Sequence, residues 1–122
     1  MSDPTTNRVR LVSLVGVVEG ERRATHTAGY PLDPSKMLPL ADVVVLLADG
    51  DDSGAMLFRY TAHGEAGGDS WHPTVSEAQR HAEEEYGDAL FGWERVPDDQ
   101  TDAHRYGVRI AYDRLKRRAG DG

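Results

Sequence analysis

The sequence predicts an α+β domain: a small antiparallel sheet of three to four strands with two helices, most simply on one face. Two apolar runs, one capped helix and one terminal stripe carry that prediction. Asp42 to Ala48 and Ala55 to Ala62 flank DGDDSG, an Asp- and Gly-rich turn, and so read as an antiparallel hairpin. Thr74 to Gly87 has the start, the periodicity and the stop of a helix. Beyond Pro97, Ala103, Tyr106 or Gly107, Ile110, Ala111 and Leu115 recur at helical spacing.

In chain order, residues 1–7 are polar and expected to be disordered, as are 119–122. Val9 to Glu19 is dense in Val and Leu on both faces, which suits a strand covered from two sides. Residues 20–41 form a long connection with three Pro, two Gly and Tyr30, irregular apart from a helical turn near Pro34 to Leu38. Connections of this length in small domains are often functional. In the third strand Met56, Phe58 and Tyr60 alternate with Leu57, Arg59 and Thr61, so one face is more apolar than the other. HGEAGGDS reads as a second turn-rich loop.

The helix after it is well specified. The Thr74 hydroxyl can accept from the Glu77 N–H while the Glu77 carboxylate reaches back, which is a capping box. Val75, Ala78, Ala82 and Tyr86 then fall on one stripe, and Gly87 supplies the stop. Residues 88–96 hold Leu90, Phe91, Trp93 and Val96, either a short edge strand or an extended clamp. Pro97, Asp98, Asp99 and Thr101 open a last helix to about Arg118, closed by Gly120. Gly107, Val108 and Ile110 are poor helix formers, and a strand from Arg105 to Tyr112 is the competitor.

At 122 residues the chain is expected to be a single domain, 1–122. Its 39% hydrophobic and 29% charged residues do not indicate disorder. The absence of cysteine excludes disulfides, thiolate chemistry and Cys-based metal sites, and fits a cytoplasmic location. The run Leu11 to Val18 is too short and too interrupted for a signal peptide, and no segment approaches the roughly 20 apolar residues of a membrane helix. Twelve of the 14 basic residues are Arg, a usage associated with GC-rich bacterial genomes. The net charge of −7 is uneven: −12 over residues 41–102, +1 over 1–40 and +4 over 103–122. An acidic body repels phosphate backbones, which argues against general nucleic-acid binding. The basic end, Arg114, Lys116, Arg117 and Arg118, reads as cations at a helix C-terminus.

Few residues suggest chemistry. Asp49, Asp51 and Asp52 fail the calcium-loop spacing, since the twelfth position from Asp49 is Tyr60 and not Glu. They read as a solvated turn. No serine sits in a nucleophile elbow, and GEAGG is neither a P-loop nor a dinucleotide fingerprint. No cofactor is expected. His63 and His72 bracket the GEAGGD loop, and with Asp69 or Glu65 they would make a metal site if the loop folded back. His81, spaced with Glu77 and Glu84 on one helix face, is a further ligand candidate. The acidic run Glu83 to Glu85 reads as a solvated helix surface. Trp71 and His72 stand at the helix mouth. The structural reading has Trp71 stapled over the first turn with His72 bonded to a loop carbonyl; the functional reading makes both a partner contact.

The residues Asp69, Ser70, Trp71, His72, Thr74, Ala78, Ala82, Glu85, Tyr86, Gly87 and Trp93 form a pattern. In it the chain resembles a group of short bacterial proteins with a hairpin, D-[ST]-W-H, a capped helix ending in an aromatic and Gly, and a following Trp. The resemblance spans roughly residues 42–96 and implies no particular activity. The hairpin with its T-x-x-E-A helix also resembles HicB-type antitoxins, although that family's glycine–proline features are missing here. The expected function is a non-catalytic protein-binding module of immunity, antitoxin or accessory type, self-associating or meeting a basic partner. Trp71, His72, Tyr30 and Trp93 are its candidate contacts. The alternative is a metal-dependent hydrolase-like enzyme using His63, His72, Asp69 and His81.

Overall fold

The computed structural model describes residues 9–16, 41–49 and 54–121, with side chains to residue 117. Among the described residues five strands and two α-helices run β1 (Val9–Leu14), β2 (Val43–Ala48), β3 (Ala55–Tyr60), β4 (Ala66–His72), α1 (Val75–Tyr86), β5 (Glu94–Arg95) and α2 (Ala103–Asp121). The strands form one antiparallel sheet in the order β4-β3-β2-β1-β5. The architecture is α+β, with five strands where three to four were expected. The unexpected strand is β4, hidden in a glycine-rich stretch; the two-residue β5 falls in the segment already offered as a short edge strand.

The helices lie on opposite faces of the sheet, not on one. Every residue of β2, VVVLLA, is buried. Val44, Leu46 and Ala48 join Ala78, Ala82 and Tyr86 of α1 in one core layer. Val45 and Leu47 join Val12, Val96 and Ala103 in another, and Val43 meets Ala111 of α2. A strand apolar on both faces must be covered on both, and each helix can cover only one.

The expected loop HGEAGGDS is a tight turn followed by a strand. Thr61 holds the turn: its Oγ1 accepts from the N–H of His63 (3.2 Å) and of Glu65 (3.0 Å). The register then slips, Phe58 facing Asp69 while Tyr60 faces Ala66, so β4 carries one extra residue. Gly68, at φ 105°, supplies the backbone that such a bulge requires.

α1 begins as expected, with the Thr74 side chain accepting from the Glu77 N–H at 3.1 Å. The Glu77 carboxylate accepts from the Thr74 hydroxyl (3.5 Å) and not from its backbone N–H, so the reciprocal half of the capping box is replaced by a side-chain contact. Gly87 closes the helix at φ 55°. Of residues 88–96 only Glu94–Arg95 form an edge strand, β5, paired with β1; Gly87–Ala89 is a 3-10 turn and Leu90 makes a single bridge to Val15. Arg10 ties the next turn to the sheet, donating to the carbonyls of Gln100 (2.5 Å) and Pro97 (2.9 Å).

α2 is a helix despite its β-branched residues, and the Asp102 carboxylate accepts from the Arg105 N–H at its start (3.1 Å). Its inner stripe is Ala103, Gly107 and Ala111, all buried, while Leu115 is 43% exposed. Small residues at four-residue intervals let the helix lie close to the sheet, and a Cβ on Gly107 would come 2.8 Å from Val45 Cγ2. The helix passes through Gly120 to Asp121; glycine permits a stop but does not impose one. No described helix is long and apolar enough to cross a membrane.

Candidate functional site

Strand alternation divides the Asp69-Ser70-Trp71-His72 segment of β4 between the two sides of the sheet. Ser70 and His72 face α1. Asp69 and Trp71 face the α2 side, where their cross-strand partners are Phe58 and Met56.

On the α1 side lies a buried polar cluster centred on Arg59 of β3, which is 1% exposed. Its guanidinium grips the Glu85 carboxylate two-pronged, Nη2 to Oε1 at 2.7 Å and Nε to Oε2 at 3.0 Å. The same Nη2 donates to Ser70 Oγ at 3.2 Å. Ser70 Oγ lies 2.8 Å from His72 Nε2. Arginine only donates, so the serine oxygen accepts from it and has its own proton left for His72. Burial, then the neighbouring His81 and Arg59, push the His72 pKa below its ordinary 6.5; Glu77 and Glu85 oppose them. His72 is therefore neutral near pH 7, and its Nε2 shares one hydrogen bond with the Ser70 hydroxyl. Its ring packs 4.6 Å from that of His81, whose Nε2 reaches Glu85 Oε1 at 3.4 Å. Burial beside this cluster also pushes the Tyr86 phenol up. The network cross-links β3, β4 and α1 through one helix-borne carboxylate.

Glu85 thus belongs to the buried side of α1, not to a solvated acidic run. His72 bonds the Ser70 hydroxyl and no loop carbonyl. Arg59 and Glu85 are the functional-looking pair that the sequence analysis missed. The legible signals are an arginine inside an apolar strand and a glutamate three residues beyond Ala82, on the stripe of Ala78 and Ala82.

On the α2 side, Trp71 is 61% exposed. It does not staple the first turn of α1, because alternation turns it to the other face. It lies across Gly54, where any Cβ would collide with the indole. Beside it is a hollow of about 300 Å³ lined by Leu47, Asp49, Met56, Phe58 and His104. His104 sits edge-on to Phe58 (4.6 Å) and bonds the Tyr60 hydroxyl through Nδ1 (2.7 Å). Burial, with Asp102 and Asp69 nearby, pushes that phenol up.

The other candidates are scattered. Tyr30, the helical turn near Pro34 and most of DGDDSG lie outside the described residues. Trp93 is half-buried against the α1-side core, its indole N–H without an acceptor among the described residues, so it is no exposed anchor. Phe91 is the exposed aromatic instead, 48% accessible with Arg114 4.4 Å from its ring centre. His63 sits in the β3–β4 turn with its ring on Tyr112 of α2 (5.9 Å). Of the four metal candidates, His72 and His81 meet, Asp69 faces the other side, and His63 is at the far end of β4. Among the described residues no group of three or more His, Asp or Glu side chains is placed to hold a metal ion. The loop that was to fold His63 onto His72 is an extended strand, which holds its two ends apart.

Compared with models of protein families, with curated proteins and with solved structures, the chain matches none.

Proposed function

We propose that the protein is a non-catalytic binding module whose contact face is the α2 side of β4, with Trp71 as aromatic anchor. One observation carries the reading: a tryptophan 61% exposed on an edge strand, beside an open hollow. Exposed tryptophan at the rim of a concavity is the residue type most enriched among binding hot spots. Among the described residues β4 has β3 as its one neighbour, so its outer edge offers backbone groups to an incoming strand. The Gly68 bulge and Asp69 blunt the half of that edge nearer the turn, leaving Ser70 to His72 as the open half. Asp49 and Asp69 flank Trp71 on its own face and suit a basic partner. Such stoichiometric contact is the working mode of immunity, antitoxin and accessory proteins.

The test is affinity capture from the source cell with immobilised wild type, Trp71→Ala and Phe91→Ala. A partner kept by wild type and Phe91→Ala is expected to be lost with Trp71→Ala, its affinity falling on the order of 30-fold. Equal retention by all three would refute the assignment of the face.

A further inference from the structure

Placing the helices on opposite faces of the sheet also segregates charge. α1 exposes Glu77, Glu83 and Glu84 against Arg80, which lies 3.6 Å from Glu84, while the Glu85 side chain is buried on Arg59. Through residue 117, α2 carries Arg105, Arg109, Arg114, Lys116 and Arg117 against Asp113. The two sides of the sheet therefore carry an acidic helix and a basic one. On α2, Arg105, Arg109, Tyr112 and Lys116 are all exposed and follow one another at four, three and four residues, which makes a single stripe. Between that stripe and the β3–β4 turn is a hollow of about 390 Å³, lined by Ala62, His63, Arg105, Val108, Arg109 and Tyr112.

We infer that this basic stripe is a docking surface for the acidic face of α1 on a second copy of the chain. The exposed carboxylates Glu77 and Glu84 are seven residues apart, and so are Arg109 and Lys116. Seven residues rise about 10.5 Å on either helix, so two helices laid side by side bring both pairs into register together. The acceptor is a stripe of two carboxylates and not a dense run of phosphates, which the net charge of −7 repels. The hollow beside Tyr112 gives the contact an apolar part that ion pairs at a surface lack. Since donor and acceptor lie on opposite sides of one molecule, the contact is head-to-tail and leaves a free face at each end. Neither stripe includes Trp71, so this surface stands or falls separately from the binding face proposed above.

Sedimentation velocity of the full chain at high concentration tests it. Wild type is expected to show an average mass rising past that of a dimer in about 0.05 M salt and returning to 13.4 kDa in about 0.5 M salt. The charge reversals Arg109→Glu with Lys116→Glu, and Glu77→Lys with Glu84→Lys, are each expected to stay monomeric in low salt. Mixing the two reversed proteins restores both complementary contacts and is expected to restore association. Circular dichroism shows that each is folded, and the mixing result is readable only with both partners folded. A wild type monomeric at every salt concentration overturns the inference, as does association that survives either reversal. A wild type that stays monomeric but binds a nucleic-acid duplex or anionic vesicles overturns it in favour of a polyanion.

Discussion

Arg59 and Glu85 show how much a single buried pair depends on both members. Arg59 is fully enclosed, and its side chain is compensated by one carboxylate, one hydroxyl and the Leu57 carbonyl. Removing the carboxylate leaves a buried guanidinium without its countercharge, so Glu85→Ala is expected to lose about 3–5 kcal/mol in urea unfolding. Arg59→Met with Glu85→Leu replaces the pair by apolar groups of similar size and is expected to recover most of that loss. A double variant no better than the single would mean that the guanidinium itself, and not its pairing, supports the fold. His72 gives the pH dependence. Its folded pKa is depressed, so as pH falls the unfolded chain takes up the proton first. Its share of stability is complete above about 6.5 and is lost as pH drops through the lower folded value. Urea midpoints at about pH 7.5 and about pH 5.5 are expected to differ less in His72→Gln than in wild type. The groups facing it, Ser70, Arg59, Glu77, His81 and Glu85, are unchanged in that comparison.

At the scale of the element, α2 illustrates packing overriding propensity. Gly107, Val108 and Ile110 weaken the helix intrinsically, yet Gly107 occupies the point of closest approach to β2. In an exposed helix Gly→Ala would add about 1 kcal/mol of stability. Here the new methyl meets Val45, a stiff β-branched side chain with no exposed surface, and overpacking costs about 1–3 kcal/mol. Gly107→Ala is therefore expected to lower the urea midpoint; a rise would show that the helix can back away from the sheet without penalty. Much of this level was legible in the chain. The Thr74 cap, the Gly87 stop and the β2–β3 hairpin follow from local rules and are where those rules put them. Strand β4 was not, because two glycines in succession read as loop when their partner strand is unknown.

For the whole molecule, the decisive choice is the side of the sheet each helix takes. It sets which residues of β3 are enclosed: Ala55, Leu57 and Arg59 are buried, while Met56, Phe58 and Tyr60 are half-exposed, although the second set is the more aromatic. It turns Trp71 away from the helix it precedes. It also sets an acidic helix and a basic one on opposite sides of the sheet, a property that the sum of −7 conceals.

By itself the sequence determined the first three strands, the hairpin, α1 with its Thr74 cap and Gly87 stop, and the uneven charge, since each depends on neighbours within a few residues or on composition. It also held the sign of a doubly covered sheet, in the unbroken apolar run of β2. Only the tertiary structure decided the two-faced arrangement, the burial of Arg59 against Glu85, the pairing of His72 with His81 and the exposure of Trp71. Those outcomes join residues far apart in the chain, and side-chain direction in a strand has meaning only once both of its faces have been covered.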